Sequence, residues 1–377
     1  MRKGSSIDMK ISFSTLACPL YSWPDIYAMA KDLNFDGIEV RGLGEDIFSV
    51  KAKPFTDAQL PATINTLNRL NLEIPCLSSG IALKDTGHAD RCLYEIKEYC
   101  ILAHKLSTPY IRILADLDPA PDGDVDDSYI CDTLKSLSEL AKEYDVTLLV
   151  ETNGVYANTK RLKKVLDAVD SPYVAALWDV HHPYRFFGES AHTTIENLGK
   201  YIKYVHVKDS VMHGDTISYK MMGEGDLPLE DMLGELKTTG YDGYVSLEWV
   251  KRWAKDLSDP GIVFPHFANY MAPYRCHHKH PLQDNNTKTG KYVWPKKRLI
   301  DYTFPDVLDR ICEEFPKQYA FRYTELDYTR TYPEFRDDVD TFARSLIAMG
   351  VKKGDHVAIW ATNVPAWYIT FWATTKI

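Results

Sequence analysis

Four short apolar segments each end in a residue that can bind a metal ion: Thr147-Leu-Leu-Val-Glu151, Val174-Ala-Ala-Leu-Trp-Asp179, Tyr204-Val-His206 and Tyr244-Val-Ser-Leu-Glu248. Each segment has the length and the β-branched or aromatic content of a buried parallel strand. The last residue of such a strand projects from the C-terminal edge of its sheet. The segments therefore predict that three carboxylates and one imidazole meet at one edge.

Strand and helix patterns alternate on both sides of these segments. Strand candidates precede them at residues 10–14, 35–41, 74–78 and 110–114, and helix candidates lie at 23–33, 57–70, 89–106, 129–144, 159–169, 193–201 and 229–239. Eight strands between residues 9 and 275 predict an α/β fold, a (β/α)8 TIM barrel, because such barrels span about 250 residues. A doubly wound open sheet gives a similar alternation. Ligands on four successive strands favour the barrel, since they converge around one mouth only in a closed sheet.

Composition narrows the class of protein. The chain has 377 residues, 45% of them hydrophobic, and a formal net charge of -9. This charge argues against nucleic acid as a partner. The seven cysteines are scattered and predict no disulfide framework. Residues 1–8 are interpreted as a polar extension without a signal core, and no apolar run is long enough for a membrane span, so we expect a cytoplasmic protein that contacts no membrane.

The expected ligand set indicates a divalent-metal enzyme. Carboxylate oxygens with one imidazole suit Mn²⁺ best, with Mg²⁺, Co²⁺ or Zn²⁺ as alternatives. A metal held in this way can polarise the carbonyl of a hydroxy-ketone and acidify the adjacent C–H. Glu151 and Glu248 would face opposite sides of the substrate, one removing a proton and the other returning it. This chemistry predicts an isomerase or epimerase that works through an enediolate.

The motifs also resemble a known family. Glu151-Thr-Asn-Gly, Asp179-Val-His-His182, His206-Val-Lys-Asp209 and Glu248 are similar to the sugar phosphate isomerase/epimerase group with its xylose-isomerase-like TIM barrel. The resemblance implies a small carbohydrate substrate, metal binding by Glu151, Asp179, His206 and Glu248, catalysis by the two glutamates, and contact of His182 with substrate. Barrels of this group often pair, so a homo-oligomer is compatible with it.

Other polar residues near the strand ends have two readings. Ketose 3-epimerases of the group bind substrate through an arginine at the position of Met212, and Lys208, Lys220 or Arg41 could replace it. Glu39 and Arg41 either contact substrate or pair with each other. His181 is interpreted as structural, and residues 223–225 as a turn rather than a phosphate-binding loop.

The sequence changes character after Arg275. Residues 276–300, including Cys276-His-His-Lys-His280, are interpreted as a solvated linker. Residues 301–377 contain Arg330-Thr-Tyr-Pro-Glu-Phe and Gly350-Val-Lys-Lys-Gly-Asp355, which resemble the opening of adenylate-forming acyl-CoA synthetases. The family's phosphate loop is not among these residues, so we expect a truncated fragment. A strand at residues 357–360 and exposed apolar surface at Trp367, Phe371 and Trp372 are predicted.

Two alternative functions remain open at this point. A lyase on the same barrel would dehydrate an inosose-like ketone after the same proton abstraction. The chain could also be part of an ATP-dependent acyl-CoA synthetase. Neither the substrate nor the oligomeric state follows from the sequence, because both depend on loops and surfaces without a unique code.

Overall fold

An eight-stranded parallel sheet forms the centre of the larger unit in this computed structural model, which describes residues 9–214, 216–275 and 302–377. A two-stranded antiparallel hairpin, β8 and β9, follows the seventh strand of the sheet. The strands of this unit are β1 (Lys10–Ser14), β2 (Gly37–Glu39), β3 (Cys76–Ala82), β4 (Tyr110–Leu114), β5 (Thr147–Glu151), β6 (Val174–Asp179), β7 (Ile202–Val207), β8 (Asp209–His213), β9 (Thr216–Lys220) and β10 (Tyr244–Leu247).

The sheet curves into a ring. Its strand order is β2-β1-β10-β7-β6-β5-β4-β3, and all neighbouring strands in this order are parallel. Beyond the end of β2, the Val40 amide donates to the Cys76 carbonyl (3.2 Å) and the Ser78 amide donates to the Val40 carbonyl (2.9 Å). These bonds join the two outer strands, so the prediction of a (β/α)8 barrel is confirmed.

Helices follow the strands, and all but the short α6, which lies at the C-terminal face, cover the outside of the barrel. They are α1 (Trp23–Asp32), α2 (Leu60–Leu70), α3 (Ala89–Leu106), α4 (Asp127–Glu143), α5 (Thr159–Val169), α6 (His181–Phe187), α7 (Ala191–Leu198), α8 (Leu229–Thr238) and α9 (Pro260–Met271). Local sequence sets their starts: Ser22 and Asp25 form a capping box at α1, and the Asn158 side chain accepts from the Arg161 amide at α5. One face of each amphipathic helix then packs on the strands.

The segment after β7 differs most from the expectation. A loop containing a turn was predicted there, whereas the structure shows the β8–β9 hairpin before a turn at residues 221–227. The Asp209 carboxylate accepts hydrogen bonds from the amides of Gly223 and Gly225, both at 2.9 Å. Those amides are therefore already engaged by a protein anion, which agrees with a turn and not with a phosphate-binding loop.

The C-terminal unit is small. The chain divides into the compact units Met1–Cys276 and His277–Ile377. In the second unit an apolar cluster around Phe335 and Val339 joins three helices and a hairpin: Phe304–Glu314, Tyr332–Ala348, Pro365–Lys376, β11 (Tyr319–Tyr323) and β12 (Tyr328–Thr331).

Two predictions for this unit need correction. The strand expected at residues 357–360 is wrong, because those residues have no regular secondary structure and Trp360 is fully exposed. A single extended segment is not stable as a strand when no neighbouring strand pairs with it. Trp367, Phe371 and Trp372 are half-buried rather than fully exposed, since their rings pack on one another at 5.8 and 6.0 Å.

The extension at residues 1–8 and the linker at 276–300 lie outside the described residues. Within the part that the structure describes, no helix combines the length and the apolar character needed to cross a bilayer.

Candidate metal centre

Strand alternation sends the predicted site residues into the barrel. In β5, Leu148 and Val150 pack outward on the helices, so Leu149 and Glu151 face the interior. The same alternation turns one more set of residues inward at the C-terminal ends of the other strands: Glu39, Arg41, Arg112, Asp179, His206, Lys208 and Glu248. The C-terminal face is where TIM barrels hold their active sites.

The four predicted metal ligands come together at this face. Glu151, Asp179, His206 and Glu248 each offer one ligand atom, and the four atoms lie within 4.8 Å of one another. All four side chains are buried, with Glu248 the most exposed at 6%. Three carboxylate oxygens and one imidazole nitrogen match the donors preferred by hard or borderline divalent cations.

His206 is held so that one ring nitrogen is left for a ligand. Its Nε2 lies 2.9 Å from Glu39 Oε2, and because an ionised carboxylate only accepts, Nε2 is the donor. The hydroxyls of Ser78 and Ser246 donate to the two oxygens of Glu39, each at 2.6 Å. His206 Nδ1 is buried without a hydrogen-bond partner in the described part of the chain and lies 3.5 Å from Glu248 Oε1. Although burial opposes it, the carboxylates of Glu39 and Glu248 raise the pKa of His206 to about 9. A positive charge is therefore favoured here, and a cation bound at Nδ1 would take the place of the ring proton.

Glu39 is thus enclosed beneath His206 with 1% of its surface exposed. It pairs neither with Arg41 nor with any other arginine among the described residues. Burial alone would raise the pKa of the Glu39 carboxyl, but the charge of His206 and the three hydrogen bonds lower it. This placement favours a positioning role and does not favour the substrate contact expected from the sequence.

Glu151 has one oxygen held and one open. Arg112 Nε donates to Glu151 Oε2, while Nη1 of the same guanidinium donates to the Ser79 carbonyl at 3.0 Å. Glu151 Oε1 is buried and has no hydrogen-bond partner among the described groups. Arg112 therefore fixes the carboxylate and leaves Oε1 directed at the centre.

Lys208 supplies the positive charge inside the cluster. Its ammonium, 2% exposed, donates to Asp179 Oδ2 and to Glu248 Oε2. Although burial opposes it, these two carboxylates raise the pKa of Lys208. In return, the charges of Lys208 and His206 outweigh the burial of Glu248 and lower the pKa of that carboxyl. Glu248 consequently stays ionised, as a cation ligand must, whereas burial raises the pKa of Asp179 even though Lys208 opposes that rise.

His182 reaches the same centre from the first turn of α6. Its Nδ1 donates to the Thr152 carbonyl at 3.0 Å, and its Nε2 lies 3.7 Å from Asp179 Oδ2. Burial and the charge of Lys208 lower the pKa of His182 to about 3, so the ring is neutral and Nε2 is an acceptor. His181 Nε2 lies 2.9 Å from the Ser210 hydroxyl, which suits the structural role expected of it. A ring nitrogen of His181 also lies within 4.8 Å of ligand atoms of Asp179 and His182.

Three site residues were missed by the sequence reasoning. Arg112 lies at an inward position of β4, and a charge in an otherwise apolar strand was the available signal. For Ser246 the available signal was weak: it lies two residues before Glu248 and therefore on the same, inward face of the strand. Tyr219 lies on the unpredicted hairpin, packs on the His181 ring at 5.9 Å, and is close enough to Lys208 and Glu248 for their charges to act on its hydroxyl.

A cavity lies at the C-terminal ends of β3 and β4, and none of the four predicted ligands lines it. It has a volume of about 710 Å³ and is lined by the end of β3 and by residues that follow β3 and β4, among them Gly80, Lys84 and Leu117. Arg41 lies next to it, with its guanidinium 6.0 Å from the centre of the Trp253 ring.

The fold agrees with the comparison to known families. Residues 27–263 match the model of the xylose isomerase-like TIM barrel. The chain belongs to this family. Residues 308–377 match the model of the AMP-binding enzyme, which confirms the resemblance predicted for the C-terminal segment.

Curated relatives divide in the same way. Fructoselysine 3-epimerase of Escherichia coli O157:H7 is 25% identical over 240 residues, covering 60% of this chain and 85% of that protein. A putative acyl-CoA synthetase, YngI of Bacillus subtilis, is 37% identical over 79 residues, covering 21% of this chain. The chain spans only 14% of the length of YngI. The match that covers more of this chain is to an epimerase, which indicates that the barrel is an enzyme.

A solved structure shows the same barrel. The probable 3-DHS dehydratase AsbF of Bacillus anthracis superposes with a TM-score of 0.59 at 20% identity, covering 70% of this chain and 98% of that protein. At this identity the likeness concerns the fold alone.

Proposed function

We propose that the barrel is a divalent-metal-dependent isomerase or epimerase of a small sugar, sugar phosphate or related hydroxy-ketone. The observation that carries the proposal is the convergence of Glu151, Asp179, His206 and Glu248 to within 4.8 Å at the C-terminal face of the barrel. The similarity to fructoselysine 3-epimerase over most of that enzyme's length supports it.

The four residues would hold the cation, with Mn²⁺ the favoured ion and Mg²⁺, Co²⁺ or Zn²⁺ as alternatives. When bound, the cation supplies Lewis acidity that makes the C–H beside a carbonyl easier to ionise. Arg112, Glu39 and Lys208 prepare the donors for it: Arg112 fixes Glu151, Glu39 fixes the tautomer of His206, and the charge of Lys208 favours the ionised forms of Asp179 and Glu248.

The two glutamates are the proton carriers in this proposal. Glu151 ends β5 and Glu248 follows β10, and β6 and β7 separate these strands in the sheet. The two carboxylates therefore approach a substrate from different sides of the mouth. One takes the proton from carbon and the other returns one, either to the opposite face of that carbon or to its neighbour. The first outcome is epimerisation and the second is isomerisation.

His182 and Lys208 would orient the substrate oxygens. The neutral His182 presents Nε2 as an acceptor for a hydroxyl, and the ammonium of Lys208 can donate to a carbonyl or hydroxyl oxygen once substrate competes for it. Tyr219 packs on the His181 ring and lies on the hairpin side of the centre.

The test is solvent-deuterium exchange with Mn²⁺ on a panel of ketoses, ketose phosphates and inososes. Deuterium at the carbon beside the carbonyl, with retention of all hydroxyls, is expected. Deuterium accompanied by loss of water would instead identify the dehydratase-like lyase. Absence of exchange with every member, or full exchange in a chelator-treated preparation, would reject the proposal.

A further inference from the structure

Two arginines at the barrel mouth lack an acidic partner. Arg41 follows β2 and Arg252 follows β10, so they flank the end of β1. Within the described ranges neither guanidinium forms an ion pair with a carboxylate. Arg41 Nη1 donates to the Ile47 carbonyl at 3.5 Å, and the guanidinium lies 6.0 Å from the centre of the Trp253 ring.

Arg252 has two donors that are buried and unused. Its Nη1 donates to the Gly44 carbonyl at 2.9 Å, but Nε and Nη2 have no hydrogen-bond partner among the described groups. A guanidinium stays protonated in proteins, and leaving buried N–H groups unpaired costs free energy. A pair of free N–H groups on one guanidinium fits the two oxygens of a carboxylate or phosphate.

The two arginines act on the same space. Burial lowers the pKa of Arg41, and the positive charges of Arg112 and Arg252 lower it further. The charge of Arg112 is matched by Glu151, whereas those of Arg41 and Arg252 are not. This side of the mouth therefore carries two guanidinium charges without an ion pair among the described residues, and the carboxylates that act on them from nearby are Glu248 on Arg41 and Glu45 on Arg252.

Arg41 also lies between the metal centre and the neighbouring cavity. Its Nη2 would be 3.1 Å from a Cβ on Gly80, a residue that lines the cavity. The other cations on that wall, Lys84 and Arg91, are already paired with Asp116 and Glu95. The charge of Glu248 at the metal centre also acts on the Arg41 guanidinium. A molecule reaching from the metal centre towards the cavity would pass Arg41.

We propose that Arg41 and Arg252 form a subsite for an anionic group of the substrate, a carboxylate or a phosphate carried on the part of the molecule remote from the reacting carbonyl. The inference rests on the proposed function, and it deepens that function by naming an anionic substrate class. It makes Arg41 a specificity-determining residue.

Binding is tested first, without turnover. The chelator-treated full chain is titrated by calorimetry with glycerol 3-phosphate, glycerate and glycerol, which share three carbons and differ in the anionic group. We expect at least one of the two anions to bind and glycerol not to bind. The affinity for the anion should be at least tenfold weaker in Arg41→Met and in Arg252→Met. Arg69→Met is the matched control, because Arg69 is exposed in the last turn of α2, away from the mouth. The tighter of the two anions identifies the group.

Turnover supplies a second measurement. The ratio of kcat/KM for proton exchange is compared between ketoses and the same ketoses carrying a terminal phosphate or carboxylate. Each arginine variant is expected to lower this anionic preference at least tenfold. If the anions bind no better than glycerol, or bind the variants as tightly as the parent, the subsite is refuted even when exchange occurs. If no ketose exchanges at all, the proposed reaction fails, and the calorimetry still decides the subsite.

Discussion

Glu39→Gln isolates the positioning of His206 from the ligands themselves. The amide has the shape of the carboxylate but carries no charge, and one of its two terminal atoms is a donor. If that donor faces His206, Nε2 becomes the acceptor and the ring proton moves to Nδ1, the nitrogen that faces the carboxylates. If the amide oxygen faces His206, the ring keeps its proton on Nε2. The negative charge of the Glu39 carboxylate, which makes the imidazole a stronger ligand, is nevertheless lost.

Either outcome weakens metal binding without removing a ligand. Loss of a hydrogen-bonding carboxylate behind a metal-bound histidine typically costs about 10- to 100-fold in affinity, equivalent to about 1.4–2.8 kcal/mol. The enclosure of Glu39 by His206, Ser78 and Ser246, at 2.6–2.9 Å, places this variant at the upper end of the range, because no water can enter to replace the acceptor.

The assay is titration with Mn²⁺ in competition with a chelator, with thermal unfolding measured in parallel. Glu45→Gln serves as control, since Glu45 is an exposed carboxylate at the same end of the barrel and forms no ion pair in the described part of the chain. Nitrogen NMR of histidine-labelled protein reports the tautomer directly. If Glu39→Gln binds Mn²⁺ as tightly as the parent chain and its histidine spectrum is unchanged, the assigned role of Glu39 is wrong.

Three further outcomes are expected. Glu151→Gln and Glu248→Gln should each reduce solvent-deuterium exchange by about 10²- to 10⁴-fold, the usual contribution of a positioned acid or base. An exchange rate within about threefold of the parent chain, which is a difference of about RT ln 3 in activation free energy, would contradict this. Arg112→Met should lower the free energy of unfolding by about 3–5 kcal/mol, because it leaves a carboxylate buried and unpaired; chemical denaturation measures this, and a loss below about 1 kcal/mol would show that Glu151 is not held by Arg112. Gly225→Ala should disturb the turn after β9, because a Cβ there would overlap the Asp209 carboxylate; faster amide exchange of residues 221–227 is expected, and unchanged exchange would argue against that contact.

Much of the barrel could be predicted because its signals are local. Buried parallel strands are short apolar runs, and several helices carry clear apolar spacing, so the segments 89–106, 110–114 and 159–169 were placed with the same bounds as in the structure. Helix α6 was missed because seven residues with a proline give no measurable periodicity. The β8–β9 hairpin was missed because its pairing is antiparallel and its residues are half-buried, which removes the apolar run.

The candidate site was predictable only where strand ends carried an unusual residue type. The four ligands stand at the ends of apolar segments, and the structure brings them together. The partners of those ligands come from other strands, so their identity depends on register: Ser246 lies opposite His206 between β10 and β7, and Glu39 reaches His206 only in the closed ring. A pairing of this kind has no signature in the order of residues along the chain.

The number of Mn²⁺ ions bound tightly per chain tests the central claim most directly. Equilibrium dialysis of the full chain should give one tight ion, and the conservative double variant Asp179→Asn, Glu248→Gln should lose it while keeping its thermal unfolding transition. A parent chain without a tight ion, or a double variant that retains one, would contradict a metal centre built from Glu151, Asp179, His206 and Glu248.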